Sequence, residues 1–572
     1  MRLVRINLKT ESIDYLEINK DSNYFLLGGR GLTSHIVNNE VPPDSDPLGK
    51  MNKLIIASGL LTGSPFPNSA RTSIGGKSPL TNGIKEANVG GRGSMMLARN
   101  GFRAIILEEK LSEWKLILIK EQNIELKDGV EYISMGNYRL CDNLYKKYGE
   151  RIGIYSIGPS GENLMKSSTI AANDLQGYPS RHAARGGLGA VMGSKKIKAI
   201  VIFPPKKSLV KIKDIKRLRS ISKPFTKILA TTKRIFSTFG TPLLIKAINS
   251  LNGLPTKNFS KGKFSKVDSI SGETLNKLIN ERGGRNRLAC CPTCVIKCSN
   301  QICDNKGKYI TSSLEYETIA MNGSNLLIDD LDEISRIDFL CDNIGIDTIE
   351  FGCTIGLAME AGKIKWGNST KVIEILKEIK KGSDLGNLYG NGVCYLADQL
   401  KIQRIPHVKG QAISAYDPRI FKGMSVTFAT SPMGADHTAG AAIAGRSARK
   451  DKDYGDLTEN EGKLELSYEL QLYTAILDSM GCCYFIGPSY ENMEIIKGAL
   501  NAMYGVNWTC KDIIDLGKNI IKTELEFNKK AGLIKESNEL PSFFYSEKSD
   551  PTKLKATFSK KELINFWDRL EF

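Results

Sequence analysis

The sequence predicts an α+β fold, β-rich toward its N-terminus and mostly helical after about residue 208. Three observations carry that prediction. Short alternating or continuously apolar runs recur before residue 207, as strands require. Glycine-rich loops separate these runs. Beyond residue 208 the apolar spacing turns helical and strand patterns become rare.

In chain order, residues 2–8 and 14–19 alternate apolar and polar side chains, which predicts a hairpin. Lys53 to Ser58, Ala104 to Glu108, Lys115 to Ile119 and Lys198 to Phe203 read as further strands. Lys211 to Ala230 and Pro242 to Leu251 read as helices. A helix over Leu331 to Ile344 stops at Gly345, and another over Leu464 to Met480 stops at Gly481. Glycine suits the left-handed residue that commonly ends a helix. His407-Val-Lys-Gly410 and Ala415-Tyr-Asp-Pro-Arg419 read as loops, and Gly434 to Gly440 as a loop entering a helix. The Lys-rich tail, from about Gly532, closes with a short helix over Lys560 to Leu570.

At 572 residues the chain has room for roughly three or four domains. Its 41% hydrophobic and 25% charged residues are those of an ordinary soluble protein. The N-terminus lacks the apolar core of a signal peptide, and no apolar run reaches membrane-span length. The cysteines cluster at metal spacing, so reducing cytoplasm is the expected compartment. The net charge of +18 would suit nucleic acid, a membrane surface or an acidic protein. The lysines are dispersed, however, with no basic tract interleaved with aromatics. That points to a solvated surface, and to an acidic redox partner before nucleic acid or membrane.

Chemistry concentrates at Cys290-Cys-Pro-Thr-Cys-Val-Ile-Lys-Cys298, which holds four of the twelve cysteines. Cys291, Cys294 and Cys298 have the spacing C-x2-C-x3-C. Three such thiolates can converge on one iron–sulfur cluster, which normally takes a fourth ligand. Cys483 is the best candidate for the fourth. A zinc site or buried free thiols are the plainer alternatives, but no second knuckle or nearby His supports zinc. Cys290, Cys294 and Cys298 form a second register, so Cys290 is the alternative to Cys291.

The glycine loops are Gly28-Gly-Arg-Gly31, Gly75-Gly76, Asn88-Val-Gly-Gly-Arg-Gly93 and Arg181-His-Ala-Ala-Arg-Gly-Gly187, with Arg71 nearby. Tight turns in a β-rich domain would account for any one of them. Together, with Arg beside Gly in most, they favour a phosphate-bearing cofactor whose oxygens meet backbone N–H groups. No Walker loop or strand–G-x-G-x-x-G–helix unit is present. The helix endings Asp342-Asn-Ile-Gly345-Ile-Asp347 and Asp478-Ser-Met-Gly481-Cys-Cys483 share one grammar. An ionised Asp only accepts hydrogen bonds, so each suits a heterocycle that presents N–H donors, as a pterin does. Either alone would be an ordinary capped helix; the matched pair suggests two similar cofactor halves beside one cluster. His437 is one of four histidines and sits in a glycine-rich setting.

At these residues the chain resembles the aldehyde:ferredoxin oxidoreductase family of tungsten–pterin enzymes. The resemblance runs nearly end to end. It rests on Asn88-Val-Gly-Gly, Ala183-Ala-Arg-Gly-Gly-Leu-Gly-Ala-Val-Met-Gly-Ser-Lys195, the cysteine spacing, Glu315-Tyr-Glu-Thr318, the two D-x-x-G endings and Ala415-Tyr-Asp-Pro-Arg419. It implies a β-rich N-terminal pterin-base domain (residues 1–207) followed by two mostly helical domains (208–410 and 411–572). It implies a bis-pterin centre holding tungsten, occasionally molybdenum, with no protein ligand to that metal. Cys291, Cys294, Cys298 and Cys483 would bind a [4Fe–4S] cluster. Asp342, Gly345 and Asp347 would contact one pterin, and Asp478, Gly481 and Cys482 the other. Arg71, Asn88, Gly90, Arg181 and Arg185 would hold the phosphates, with a bridging magnesium at Asn88 and the Ala183 carbonyl.

By the same resemblance Glu317 and His437 match the catalytic pair, with Glu315 as the near alternative to Glu317. The implied reaction is oxidation of an aldehyde to a carboxylic acid with ferredoxin as electron acceptor. The family also includes reductases of activated aromatic rings, and its members are often homodimers. Where some dimers carry E-x-x-H for a bridging iron, this chain has Glu333-Ile-Ser-Arg336. Two other classes compete. A radical enzyme using S-adenosylmethionine would space its cysteines in the reverse order, and an iron–sulfur nucleic-acid-binding module would bind oligonucleotides in a salt-sensitive way.

Overall fold

The computed structural model describes residues 1–569. The N-terminal third is one design used twice. The first unit runs β1 (Arg2–Asn7), β2 (Ser12–Glu17), α1 (Gly29–Glu40), β3 (Leu54–Ser58), β4 (Thr72–Lys77), β5 (Ile84–Val89), α2 (Gly93–Arg99) and β6 (Phe102–Glu108). The second runs β7 (Lys115–Lys120), β8 (Asn123–Asp128), α3 (Asn137–Tyr148), β9 (Gly153–Ser156), the single turn α4 (Pro159–Glu162), β10 (Ile170–Ala172), β11 (Arg181–Ala183), α5 (Leu188–Ser194) and β12 (Ile197–Ile202).

Each unit forms a six-stranded sheet, ordered β2-β1-β6-β3-β4-β5 and β8-β7-β12-β9-β10-β11. The directions match as well. Only the β1–β6 and β7–β12 pairs are parallel, and every other neighbour is antiparallel. The predicted strands all form, and the first hairpin pairs Ser12–Glu17 with Arg2–Asn7.

Strand alternation explains the layering. Val4 and Ile6 face the second sheet's Ile117 and Ile200 in a shared core. Leu3, one residue before Val4, faces outward to Leu32 and Ile36 of α1. On the second sheet Leu116 and Leu118 meet Leu140 and Leu144 of α3 in the same way. The result is helix, sheet, sheet, helix.

Beyond residue 208 the chain is mainly helical, with α6 (Ile215–Thr232), α7 (Arg234–Phe239), α8 (Leu244–Ser250) and α9 (Gly272–Glu281) first. A small antiparallel sheet, β13 (Arg285–Leu288), β14 (Ser299–Cys303) and β15 (Tyr309–Ser312), follows. Then come α10 (Tyr316–Asn322), α11 (Leu331–Ile344), α12 (Thr348–Glu360), α13 (Ser369–Lys381), α14 (Asp384–Gly390) and α15 (Val393–Leu400). His407–Val408 and Gln411–Ala412 form a two-residue hairpin, β16 and β17, where the sequence suggested only loop. Last are α16 (Lys422–Thr430), α17 (Lys463–Met480), α18 (Tyr490–Tyr504), α19 (Cys510–Lys530), α20 (Phe543–Ser546) and α21 (Lys560–Ile564).

Two further expectations need correction. Gly434 to Gly440 does not lead into an α-helix; it makes one tight turn over His437–Ala439, capped by the Asp436 side chain. The terminal helix stops at Ile564 and continues as a tighter turn over Phe566–Arg569, while Leu570 lies outside the described residues. The two D-x-x-G helices end as read. Gly345 and Gly481 take φ of 81° and 74°, the left-handed conformation that glycine adopts without strain. Among the described residues no helix is long and apolar enough to cross a membrane.

Candidate active site

Each β-unit carries one of these helix ends, and by equivalent contacts. Arg71, just before β4, donates its backbone N–H to Gly481 O at 3.0 Å. Thr169, just before β10, donates to Gly345 O at 2.8 Å. A Cβ at Gly59, after β3, would collide with Gly481 N, and one at Gly158, after β9, with Ile344 O. The approach is backbone to backbone, which is why glycine stands at both places. Strand register then equates Asn88 with His182, because Ser73 pairs Asn88 and Ala171 pairs His182.

The matched slots hold different chemistry. In the first, Arg71 Nε hydrogen-bonds Asn88 Oδ1, and Arg30 lies 3.5 Å from Asp478 while held by Glu524. In the second, Thr169 Oγ1 pairs with His182 Nδ1 at 2.6 Å, and His182 Nε2 lies 3.0 Å from Asp342 Oδ1. Burial and neighbouring Glu86 push the Asp478 carboxyl well above the usual range, against Arg30 and Arg71. Burial pushes Asp342 up against the pull of His182, and Asp347 up against Arg185.

The cysteine loop joins β13 to β14 at the first slot. Thr293 and Lys297 take φ of 65° and 54°, which tightens the loop around its thiols. Its backbone is tied to the base by Asn68 N–H to Thr293 O and Gly91 N–H to Cys290 O, both 2.9 Å. Cys483 N–H in turn donates to Asn68 O at 2.8 Å, so one residue fixes the approach of both cysteine segments. Cys290 Sγ lies 3.7 Å from Cys291 Sγ. Burial raises the Cys298 thiol, and the charges of Glu315, Cys290 and Cys483 add to it. Cys290 is therefore inside the same group. Among the described residues no three His, Cys, Asp or Glu side chains are arranged to hold a single metal ion. A cluster spreads its thiolates around a polynuclear core instead.

Of the acid–base candidates, Glu317 lies within electrostatic reach of Arg185. Glu317 Oε1 faces His437 Nδ1 at 3.5 Å without hydrogen-bond geometry, and both atoms are buried and lack other partners. The other oxygen, Oε2, accepts from Ala415 N–H at 2.8 Å. Burial raises the Glu317 carboxyl, opposed by His437, the Ala415 N–H and Arg185. Glu315, one residue before α10, faces elsewhere: it accepts from Thr241 and Ser313 and lies 3.6 Å from Arg181. The two glutamates thus occupy separate environments. Arg185 lies 3.2 Å from Asp347 and donates to Ala412 O and Ala435 O.

Sequence reasoning passed over Lys85, Asp436 and Glu350. Lys85 is buried and lies 3.0 Å from Asp436. Burial opposes charge on Asp436, but Lys85 and Arg185 hold it well below the usual carboxylate range. Glu350 accepts from Val393 N–H and Ala412 N–H, and burial lifts it to about 7. No motif marked these charges, because burial and fold-dependent partners are what set them apart. His182 was visible as a rare histidine but had no assigned partner.

Several buried polar side chains of this region have atoms without a partner. Asp342 Oδ2, Arg181 Nε and both amide atoms of Gln411 are buried without a hydrogen-bond partner. Each such atom costs about 1–3 kcal/mol, so the donor set fits a flat polar ligand with anionic groups, as a pterin phosphate is. The buried thiols fit a cluster.

Comparison with known proteins agrees. Residues 3–203 match the family model described as aldehyde ferredoxin oxidoreductase, N-terminal domain, and 219–568 match its domains 2 and 3. The chain is 33% identical to the tungsten-containing aldehyde ferredoxin oxidoreductase of Pyrococcus furiosus, covering 96% of this chain and 91% of that protein. It is 27% identical to the same organism's aliphatic sulfonate oxidoreductase, WOR-like subunit, covering 91% and 84%. The fold matches the solved active site complex BamBC of benzoyl coenzyme A reductase with TM-score 0.83 at 17% identity, covering 100% of this chain and 94% of that one.

Proposed function

The chain belongs to the aldehyde ferredoxin oxidoreductase family, and from that membership we propose that it oxidises an aldehyde to a carboxylic acid and passes the electrons to ferredoxin. The observation that carries the reading is the Glu317–His437 pair, facing at 3.5 Å with unpartnered atoms toward each other. Aldehyde and water give the acid, two protons and two electrons. Bound tungsten bis-pterin would supply Lewis acidity and two-electron redox capacity, and a [4Fe–4S] cluster one-electron transfer. Asp342, Gly345 and Asp347 would hold one pterin, and Asp478, Gly481 and Cys482 the other. Arg71, Asn88, Gly90, Arg181 and Arg185 would meet the phosphates, with magnesium at Asn88 and the Ala183 carbonyl. Cys291, Cys294, Cys298 and Cys483 would hold the cluster.

Glu317 takes a proton from the attacking water at Oε1 while the Ala415 N–H keeps Oε2 in place. A carboxyl raised by burial is the stronger base for that task. His437 donates a hydrogen bond from its ring to the aldehyde oxygen as charge grows there. Arg185, paired with Asp347, holds the Ala412 and Ala435 carbonyls.

The test is metal, sulfide and pterin analysis of natively produced, anaerobically purified protein, followed by an aldehyde panel with benzyl viologen. The panel includes a sulfonate and an aromatic acyl-CoA, because relatives are named for those substrates. Tungsten or molybdenum with two pterins, iron, and viologen reduction by an aldehyde support the reading. Turnover only with the sulfonate or the acyl-CoA replaces the substrate class. Iron without pterin in a fully loaded sample sinks the chemistry.

A further inference from the structure

One face of the molecule gathers features that this chemistry does not use. From Ile215 to Phe239 the chain carries seven Lys or Arg residues and no Asp or Glu. Helix α6 buries Leu218, Phe225 and Leu229. The helical period therefore turns Lys216, Lys223 and Lys227 to solvent, and all are exposed. On the same segment Ile235 is 55% and Ile228 51% exposed, the two most exposed large apolar side chains among the described residues. Solvation alone accounts for lysines, not for isoleucines left open beside them.

This face lies directly over the cysteine loop. Ser237 Oγ donates to Ile296 O, and Gly240 leaves space for Cys298 O, where a Cβ would intrude at 2.7 Å. Phe236 packs on Phe485, two residues beyond Cys483, with ring centres 5.3 Å apart. Lys233 lies within electrostatic reach of both Cys483 and Arg446. Cys298 is the half-buried residue of a group whose other cysteines are buried, and exposed Lys297 stands beside it.

We propose that α6 and α7, with Lys297, form the docking surface for a small acidic one-electron carrier protein, with Ile228 and Ile235 at its centre and Lys223, Lys227, Arg234 and Lys297 around them. An apolar centre within a charged rim is the anatomy of a protein interface. Opposite charge speeds encounter and fixes orientation. Placement over the least buried cysteine residue of the group gives the partner's redox group a short approach to it. Nucleic acid or an anionic membrane would use the cations but has no need of the cysteine loop beneath them. The proposal rests on the reading that these cysteines hold a cluster.

The experiment uses the holoenzyme, a two-cluster bacterial ferredoxin of net negative charge, and the variants Lys223→Glu/Lys227→Glu and Ile235→Asp. Lys371→Glu on the distant α13 is the control. Zero-length carbodiimide cross-linking, mapped by mass spectrometry, should join ferredoxin carboxylates to Lys223, Lys227 or Lys297. The double variant should raise the KM for ferredoxin about tenfold at low salt, with convergence toward wild type at high salt. Viologen-coupled turnover and iron content should stay at wild-type values. Cross-links elsewhere with unchanged KM overturn the proposal. So does binding of an oligonucleotide or anionic vesicles that the double variant loses while ferredoxin kinetics do not change. If the loaded wild-type enzyme reduces neither viologen nor ferredoxin with any substrate, the functional reading fails instead, and the cross-link map still decides the docking face.

Discussion

The two β-units are the same scaffold put to two uses. Both end a helix of the distant chain on a glycine and a backbone N–H, at Gly59 and Arg71 in one and Gly158 and Thr169 in the other. They differ in what stands in the equivalent slots. The first offers guanidinium, Arg71 with Asn88, beside the cysteine loop. The second offers Thr169 with His182, and its neighbour Arg185 lies among Asp347, Asp436, Glu350 and Glu317. The lesson is a division of labour. Geometry is repeated, while charge is specialised, toward the thiols on one side and toward the acid–base pair on the other.

That division can be broken in order of effect. Glu317→Gln removes the only base proposed for water and should lower turnover by about 10³-fold, within the usual range for general base catalysis. Metal, pterin and iron contents should remain, and equal turnover would remove Glu317 from the role. Activity of the wild type should also fall on the acid side at a pH above the ordinary carboxylate range, because burial raises this group.

Next come Gly59→Ala and Gly158→Ala. If the units are equivalent, both should cost about 3 kcal/mol or more, since each Cβ meets backbone that cannot yield. Chemical denaturation of the pair measures it, and a wide gap between them would break the equivalence.

The third concerns pH. Asp342, Asp347, Glu350 and Asp478 all have raised carboxyls in the folded protein. A carboxyl that holds its proton more tightly when folded stabilises fully below its unfolded pKa. That contribution is lost as pH rises through the folded value. Cofactor-free protein should therefore lose about 1.4 kcal/mol per pH unit for each such group between its two pKa values. The window opens near the ordinary carboxylate range and for Glu350 extends to about 7. Thermal melts across that range give the slope, and stability that rises with pH would refute the account.

The smallest effect separates the two aspartates. In cofactor-free protein at neutral pH, Asp478→Asn and Asp342→Asn should each be neutral or stabilising by about 1 kcal/mol, because each removes a group whose charge burial disfavours. Asp478→Asn should gain more, since it also relieves Glu86. In loaded protein both should lower pterin retention. Parallel melts and pterin assays decide it.

The helix ends and strands were legible because they depend on local pattern: a glycine at the left-handed position and alternation within six residues. The cysteine spacing is local too. The doubling of the β-unit was not, because its equivalences lie in strand register. Nothing in Arg71 and Asn88 resembles Thr169 and His182 until the ladders align them. Glu315 and Glu317 are separated by where α10 begins: Glu315 is extended, with φ of −102° and ψ of 165°, and Glu317 is already helical. That boundary is finer than apolar spacing resolves. Lys85 and Glu350 gave no signal, since a buried charge is written in sequence just as an exposed one is.

The contact between Gly59 and Gly481 also sets an order of events during synthesis. The base is complete by Ile202, but one slot waits for α11 and the other for α17, with Cys483 following at its end. In chain order, then, the first unit translated is the last to be closed. A chain stopped before Lys463 would lack Asp478 and Cys483 together, and with them the α17 and α19 packing on α1. The residues of the first slot therefore come together only when the last third of the chain is in place.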